Sequence, residues 1–284
     1  MAVRTTDLDH VGVGVRDLDA AARVYERLGF TLSPFARHAG AVEPGGPTVQ
    51  RATGNRCAML KAGYIELIAI VDPKLPSGDM AARIAAREGI HIVAFGCDDP
   101  AATNAALKEA GFGARGTVYL ERMVDTPQGP TLAKFDRVPV AGSDVPEGVI
   151  FHIKHLTRAA IWQPQLLKHA NGAVALDEVV IHVADLDEAA RRFERQLGVR
   201  GAGNGGTRTF TLPRGRCVLV DSTALPRADA PKAPSVVGIT VATSSTQDAI
   251  RVLEEAHVNY TLQGRKLLVE PSQACGVFLT FAPA

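Results

Sequence analysis
The chain has 284 residues, 46% of them apolar and 21% charged, which suits a globular protein of one large or two ordinary domains. Its net charge is +1 with Lys and Arg scattered rather than clustered, which argues against a nucleic-acid surface. The four cysteines are far apart without a CxxC pair, and no apolar run approaches the ~18 residues of a membrane span. With no signal-peptide core at its start, the expectation is a cytoplasmic protein whose partner is a small-molecule substrate, not nucleic acid or membrane.

In chain order, Val11, Val13 and Val15 alternate with His10, Gly12 and Gly14. That period of two places the valines on one strand face and His10 on the other. Asp17 is a good helix N-cap, and Leu18, Ala21, Ala22, Tyr25 and Leu28 follow at helical spacing up to Gly29. A strand near Phe30–Phe35, a Gly- and Pro-rich loop over 36–54 containing His38, and strands at 55–60 and 64–70 around the turn Lys61-Ala62-Gly63 complete a βαβββ unit. A short helix near Asp79–Arg87 leads to a fainter copy: a strand over 90–97, a helix from Asp98-Asp99-Pro100 to Gly111, and strands near 115–124, 130–138 and 148–155. Thr157–Ala173, with the sole tryptophan, Trp162, reads as a connector.

The segment Leu176–Arg195 repeats Leu8–Arg27 with twelve of twenty positions identical and no gap, which marks an internal duplication. A third unit spans about 176–222. A Pro- and Ala-rich stretch, 224–234, leads to a fourth, with a helix near Thr246–Ala256 and a final strand in GVFLTFA. The expected fold is α+β, four βαβββ modules in two pairs: 1–156, a connector over 157–174, and 175–284.

His10 lies seven residues before Asp17, and His91 seven before Asp98, each opening the first strand of its module. Glu66 interrupts the apolar strand YIELIAI, where burying a carboxylate without a partner is costly. His152 lies in the last strand of module two, with His155 as its alternative. Three imidazoles and a carboxylate from such positions suit Zn, Ni, Mn or Fe. Asn55, Arg56, His38 and Arg122 border the same cleft as substrate-binding candidates, arginine being suited to carboxylate or phosphate.

The pieces LDHVGVGVRDLDAAARVYERLGF, GYIELIAI and GIHIVAFGCDD resemble the vicinal-oxygen-chelate superfamily, which includes glyoxalase I, extradiol dioxygenases and fosfomycin- and bleomycin-resistance proteins. The two-pair layout most resembles its glyoxalase-like domain branch. The resemblance implies paired modules curled around a cleft, with one divalent metal held by first and last strands at His10, Glu66, His91 and His152. The resemblance implies that Glu66 also serves as catalytic base. The family usually has Glu at the fourth place, where this chain would have His152. In the second pair the matching positions are Glu178, Val218, Val237 and Thr280, which leaves no metal site there. The implied activity is a metal-dependent lyase or isomerase on a substrate with adjacent oxygens. The alternatives are an Fe(II) extradiol-type dioxygenase and a metal-free binding or resistance protein. A monomer or homodimer is expected.

Overall fold
The computed structural model describes residues 2–225 and 230–284. The first module is β1 (Leu8–Gly14), α1 (Leu18–Arg27), β2 (Ala36–Gly40), β3 (Val49–Met59) and β4 (Tyr64–Ile70). Asp17 caps α1 by accepting a hydrogen bond from the Ala20 amide. The crossover through α1 lets β1 pair in parallel with β4. Where a strand was expected, Phe30–Phe35 is irregular, and β2 starts at Ala36. His38 therefore sits on a strand, and the covering loop shrinks to the stretch between β2 and β3.

A short helix, α2 (Met80–Ala86), precedes the second module: β5 (Gly89–Gly96), α3 (Pro100–Glu109), β6 (Val118–Val124), β7 (Thr131–Pro139) and β8 (Val149–His155). The two modules close into one eight-stranded barrel, in the order β1-β4-β3-β2-β6-β7-β8-β5. β1 runs antiparallel to β5 and β2 antiparallel to β6, so both seams between modules are hydrogen-bonded.

The segment read as a connector plugs the barrel. It forms α4 (Arg158–Ile161) and a 3₁₀ turn (Pro164–Leu167). Ala160, Ile161 and Leu166 join the apolar cluster inside the barrel, and Trp162 Nε1 donates to the Leu60 carbonyl. Met80 and Ile84 of α2 enter the same cluster from the opposite end.

The second half carries β9 (Ala173–His182), α5 (Leu186–Leu197), β10 (Thr207–Thr211), β11 (Arg216–Val220), β12 (Ser235–Thr243), α6 (Thr246–Glu255), β13 (Tyr260–Gln263), β14 (Lys266–Val269) and β15 (Phe278–Pro283). These strands make an open seven-stranded sheet, β10-β11-β9-β12-β15-β14-β13. Its first module has two strands after the helix, with Ala202 only bridging to Thr209. One strand fewer leaves the sheet without the partner that closes the first half. Of the Pro- and Ala-rich stretch 224–234, residues 226–229 lie outside the described residues.

The alternation in β1 has its expected result. Val11, Val13 and Val15 are buried in a core shared with α1, α5, β9 and β12, while His10 faces the barrel interior. One apolar cluster thus runs through both halves, each fully buried Val or Leu contributing roughly 1.5–3 kcal/mol. The halves are also joined by Leu8 N donating to Arg214 O and by the buried Arg192–Glu147 pair at 2.6 Å.

Candidate functional site
The barrel encloses a cavity of about 250 Å³. Its walls are apolar where Ile68, Ile92, Leu120, Phe135, Phe151 and Ile153 face inward, and polar around Glu66. Residues Ser77–Met80, just before and at the start of α2, line one end.

Glu66 is the hub. Asn55 Nδ2 donates to Glu66 Oε1 at 2.5 Å, His38 Nε2 lies 3.3 Å from the same oxygen, and Arg122 Nη1 lies 3.6 Å away. The other oxygen, Oε2, stands 4.0 Å from His10 Nε2. β1, β2, β3, β4 and β6 each contribute one of these side chains, because inward positions recur every second residue around a closed barrel. Burial alone would raise the Glu66 carboxyl, but His38, His10 and Arg122 outweigh it and hold it at about 2. Glu66 is therefore a fixed anion with little affinity for a proton, a poor fit to the role of base expected from the sequence.

His10 is better placed to carry a proton. Its Nδ1 lies 2.7 Å from Asp9 Oδ1, its ring stacks on Tyr64 at 4.3 Å between centroids, and its Nε2 edge opens on the cavity. With Nδ1–H donated to the carboxylate, Nε2 carries a free lone pair. Asp9 is fully buried; burial opposes its charge, yet His155 and His10 together hold its carboxyl below the usual range. His155 Nε2 contacts both oxygens of Asp9 at 3.0 Å. The sequence reading passed over Asp9, although an acid beside a histidine in an apolar strand was a usable signal.

His91 and His152 do not join this group. His91 is drawn to the barrel end under α2, where Nε2 donates to the Arg87 carbonyl at 2.8 Å. Its ring occupies the space above Gly14, where an added Cβ would come within 2.7 Å of His91 Cδ2. His152 points out of the barrel, fully buried, with Nε2 3.0 Å from Thr5 Oγ1 and its ring against Phe95. Burial lowers it to about 4, so it is neutral at pH 7.

The reason is a slip of one residue. The side chain that caps α3 is Asp99, which accepts from the Ala102 amide, not Asp98. Seven residues before Asp99 is Ile92, not His91. The ladder agrees: Val11 faces Val93, His10 faces Ala94 and Gly12 faces Ile92, which makes Ile92 the counterpart of His10. Glu66 pairs with Gly12, and Phe151 pairs with Ala94, so Phe151 is the counterpart of Glu66. A one-residue shift moves a strand side chain to the other face. In the second half the same bookkeeping replaces Val237 by Gly238; Glu178 there accepts from Thr240 Oγ1 at 3.1 Å.

Of the substrate-binding candidates, Asn55, His38 and Arg122 converge on Glu66. Arg56 does not: it leaves the barrel and lies 3.7 Å from Asp19 of α1.

The donor set does not fit the metal that the fold family implies. Two of the four strand positions are Ile92 and Phe151, which have no donor atom. The Arg122 guanidinium and the Asn55 amide already lie against Oε1 of Glu66, and a fixed cation there opposes a second one. Among the described residues, no group of three or more His, Cys, Asp or Glu is placed to hold a metal ion. No helix among them is long and apolar enough to cross a membrane.

A family model described as a glyoxalase-like domain matches residues 8–197, which is the whole barrel together with β9 and α5. No curated protein sequence matches the chain. Among solved structures, a hypothetical protein from Staphylococcus aureus is 12% identical, with a TM-score of 0.66 over 98% of this chain and 99% of that one. A mutant of 4-hydroxymandelate synthase from Streptomyces coelicolor is 12% identical, with a TM-score of 0.59 over 98% and 92%. A mutant of homoprotocatechuate 2,3-dioxygenase from Brevibacterium fuscum is 13% identical, with a TM-score of 0.56 over 100% and 72%. At these identities the likeness is one of fold.

Proposed function
Because the chain belongs to the glyoxalase-like domain family of the vicinal-oxygen-chelate superfamily, we propose that its barrel is the active centre of a lyase or isomerase that moves a proton on a small oxygen-rich substrate, with His10 as the proton carrier. The observation that carries this reading is the Asp9–His10 pair, with Nε2 open to an enclosed cavity and the Glu66 carboxylate 4.0 Å away.

Each group has a distinct task. Asp9 fixes the tautomer and orientation of His10 and compensates the charge gained when Nε2 takes a proton. Glu66 adds a second negative charge on the cavity side of the ring. Arg122 keeps Glu66 ionised, and its guanidinium is available to an enolate oxygen that develops during proton removal. The apolar walls keep water from the reacting carbon. Neither the Zn, Ni, Mn or Fe form of this chemistry nor the Fe(II) dioxygenase alternative is carried forward, because the donor set lacks two of its four members.

The test is solvent exchange. In D₂O, after chelator treatment, the protein is incubated with a panel of 2-oxo acids, whose acidic C–H lies beside adjacent oxygens, and deuterium uptake is followed by NMR. Uptake in at least one member that binds is expected, with a loss of about 100-fold or more in His10→Gln. Binding without exchange in every member would leave a binding protein as the account, and exchange unchanged in His10→Gln would remove His10 as the proton carrier.

A further inference from the structure
Arg51 of β3 and Arg137 of β7 line the cavity away from the Glu66 cluster. Among the described residues, neither is seen in an ion pair with the acidic partner that a partly buried arginine normally requires. Arg51 Nη1 and Arg137 Nε are buried without a hydrogen-bond partner among the described residues. The Arg137 guanidinium lies 5.2 Å from the Phe151 ring centroid. Burial first, and then the like charge of Arg51, push Arg137 down to about 10.

The acids of the cavity are committed elsewhere. Glu66 is held by Asn55, His38 and Arg122. Asp79, which lines one end of the cavity and does attract Arg137, accepts from Arg83 Nε at 2.7 Å. Glu121 accepts from Tyr119 at 2.7 Å. Two like charges facing one cavity with unpaired donors are costly to the empty protein, and a chain keeps such a feature where a ligand supplies the missing acceptor.

We propose that Arg51 and Arg137 form an anion clamp, and that the natural ligand is an apolar body of about ring size bearing a carboxylate or phosphoryl group. The oxyanion sits between the two guanidinium groups, and the body lies against Phe135, Phe151 and Ile68. This deepens the reading of the barrel as a substrate cavity and rests on it, since it names the substrate's charge and leaves the chemistry at His10 untouched.

The probes are benzoate, phenyl phosphate and neutral benzamide, titrated calorimetrically against the full chain. At least one anion binds about tenfold or more tighter than benzamide, and the better of the two identifies the group. Arg51→Met and Arg137→Met each weaken that anion about tenfold and leave benzamide unchanged. Arg137→Lys, which keeps the charge and guards against a folding defect, retains part of the affinity. Equal binding of benzamide and both anions, or methionine variants with wild-type anion affinity, would overturn the clamp. The two readings fail separately. Charge-selective binding without proton exchange removes the role of His10 and leaves the clamp. Exchange on 2-oxo acids that is indifferent to Arg51 and Arg137 removes the clamp and leaves His10.

Discussion

Asp9 stands between two imidazoles, with Oδ1 2.7 Å from His10 Nδ1 and both oxygens 3.0 Å from His155 Nε2. A single buried carboxylate therefore fixes the ring that faces the cavity and is itself fixed from behind. Asp9→Asn keeps the shape and removes the charge. Turnover is expected to fall by about 100-fold, and ¹⁵N NMR of His10 should show the Nε2–H tautomer gaining population. An unchanged tautomer with unchanged turnover would contradict the role given to Asp9.

The Glu66–Arg122 pair is buried on both sides. Removing one partner leaves the other charge uncompensated, which costs roughly 3–5 kcal/mol. Glu66→Gln should unfold at correspondingly lower denaturant, and Glu66→Gln/Arg122→Met should recover much of the loss. A double variant no more stable than the single one would show that the pair is not coupled.

His152 predicts an acid sensitivity. Its folded value of about 4 lies below the ordinary 6.5, so the unfolded chain binds the proton more readily. The stability it permits is complete above pH 6.5 and is lost as pH falls from 6.5 towards 4, by at most roughly 3 kcal/mol. Denaturant unfolding of His152→Met over that range should show a flatter dependence than the wild type. Parallel curves would rule out His152 as the source.

Ile92 and Phe151 hold the places that the fold gives to metal donors. Installing donors there should therefore build a site: Ile92→His/Phe151→Glu is expected to bind zinc or nickel through His10 and Glu66, measured by calorimetry. His91→Ala and His152→Ala should change nothing in metal binding. If those alanine variants abolish a metal affinity already present in the wild type, the register assignment is wrong.

Much of this was legible in the residues. The repeat between Leu8–Arg27 and Leu176–Arg195 disclosed modular architecture, and the valine alternation in β1 placed His10 on the inner face. Glu66, Asn55, His38 and Arg122 are each singled out by the sequence, although at separations of eleven or more positions along the chain their meeting depends on barrel closure. The second-module histidines were misplaced because Asp98 and Asp99 are equally good caps on paper. Only the side chain that meets the Ala102 amide decides the register, and one residue moves an imidazole from one face to the other. The open sheet of the second half depends on a missing third strand, which no local pattern announces. That Arg51 and Arg137 stand without an acidic partner among the described residues is visible only once the acids around them have been assigned.

The most direct test of the metal-independent centre is anomalous diffraction from crystals grown with excess manganese or zinc and a bound 2-oxo acid. The account predicts no ordered metal inside the barrel, with the ligand carbon against His10 Nε2 and the Glu66 carboxylate still facing Arg122. A metal peak coordinated by His10 and Glu66, with Arg122 displaced, would contradict it and restore Lewis-acid chemistry to this fold.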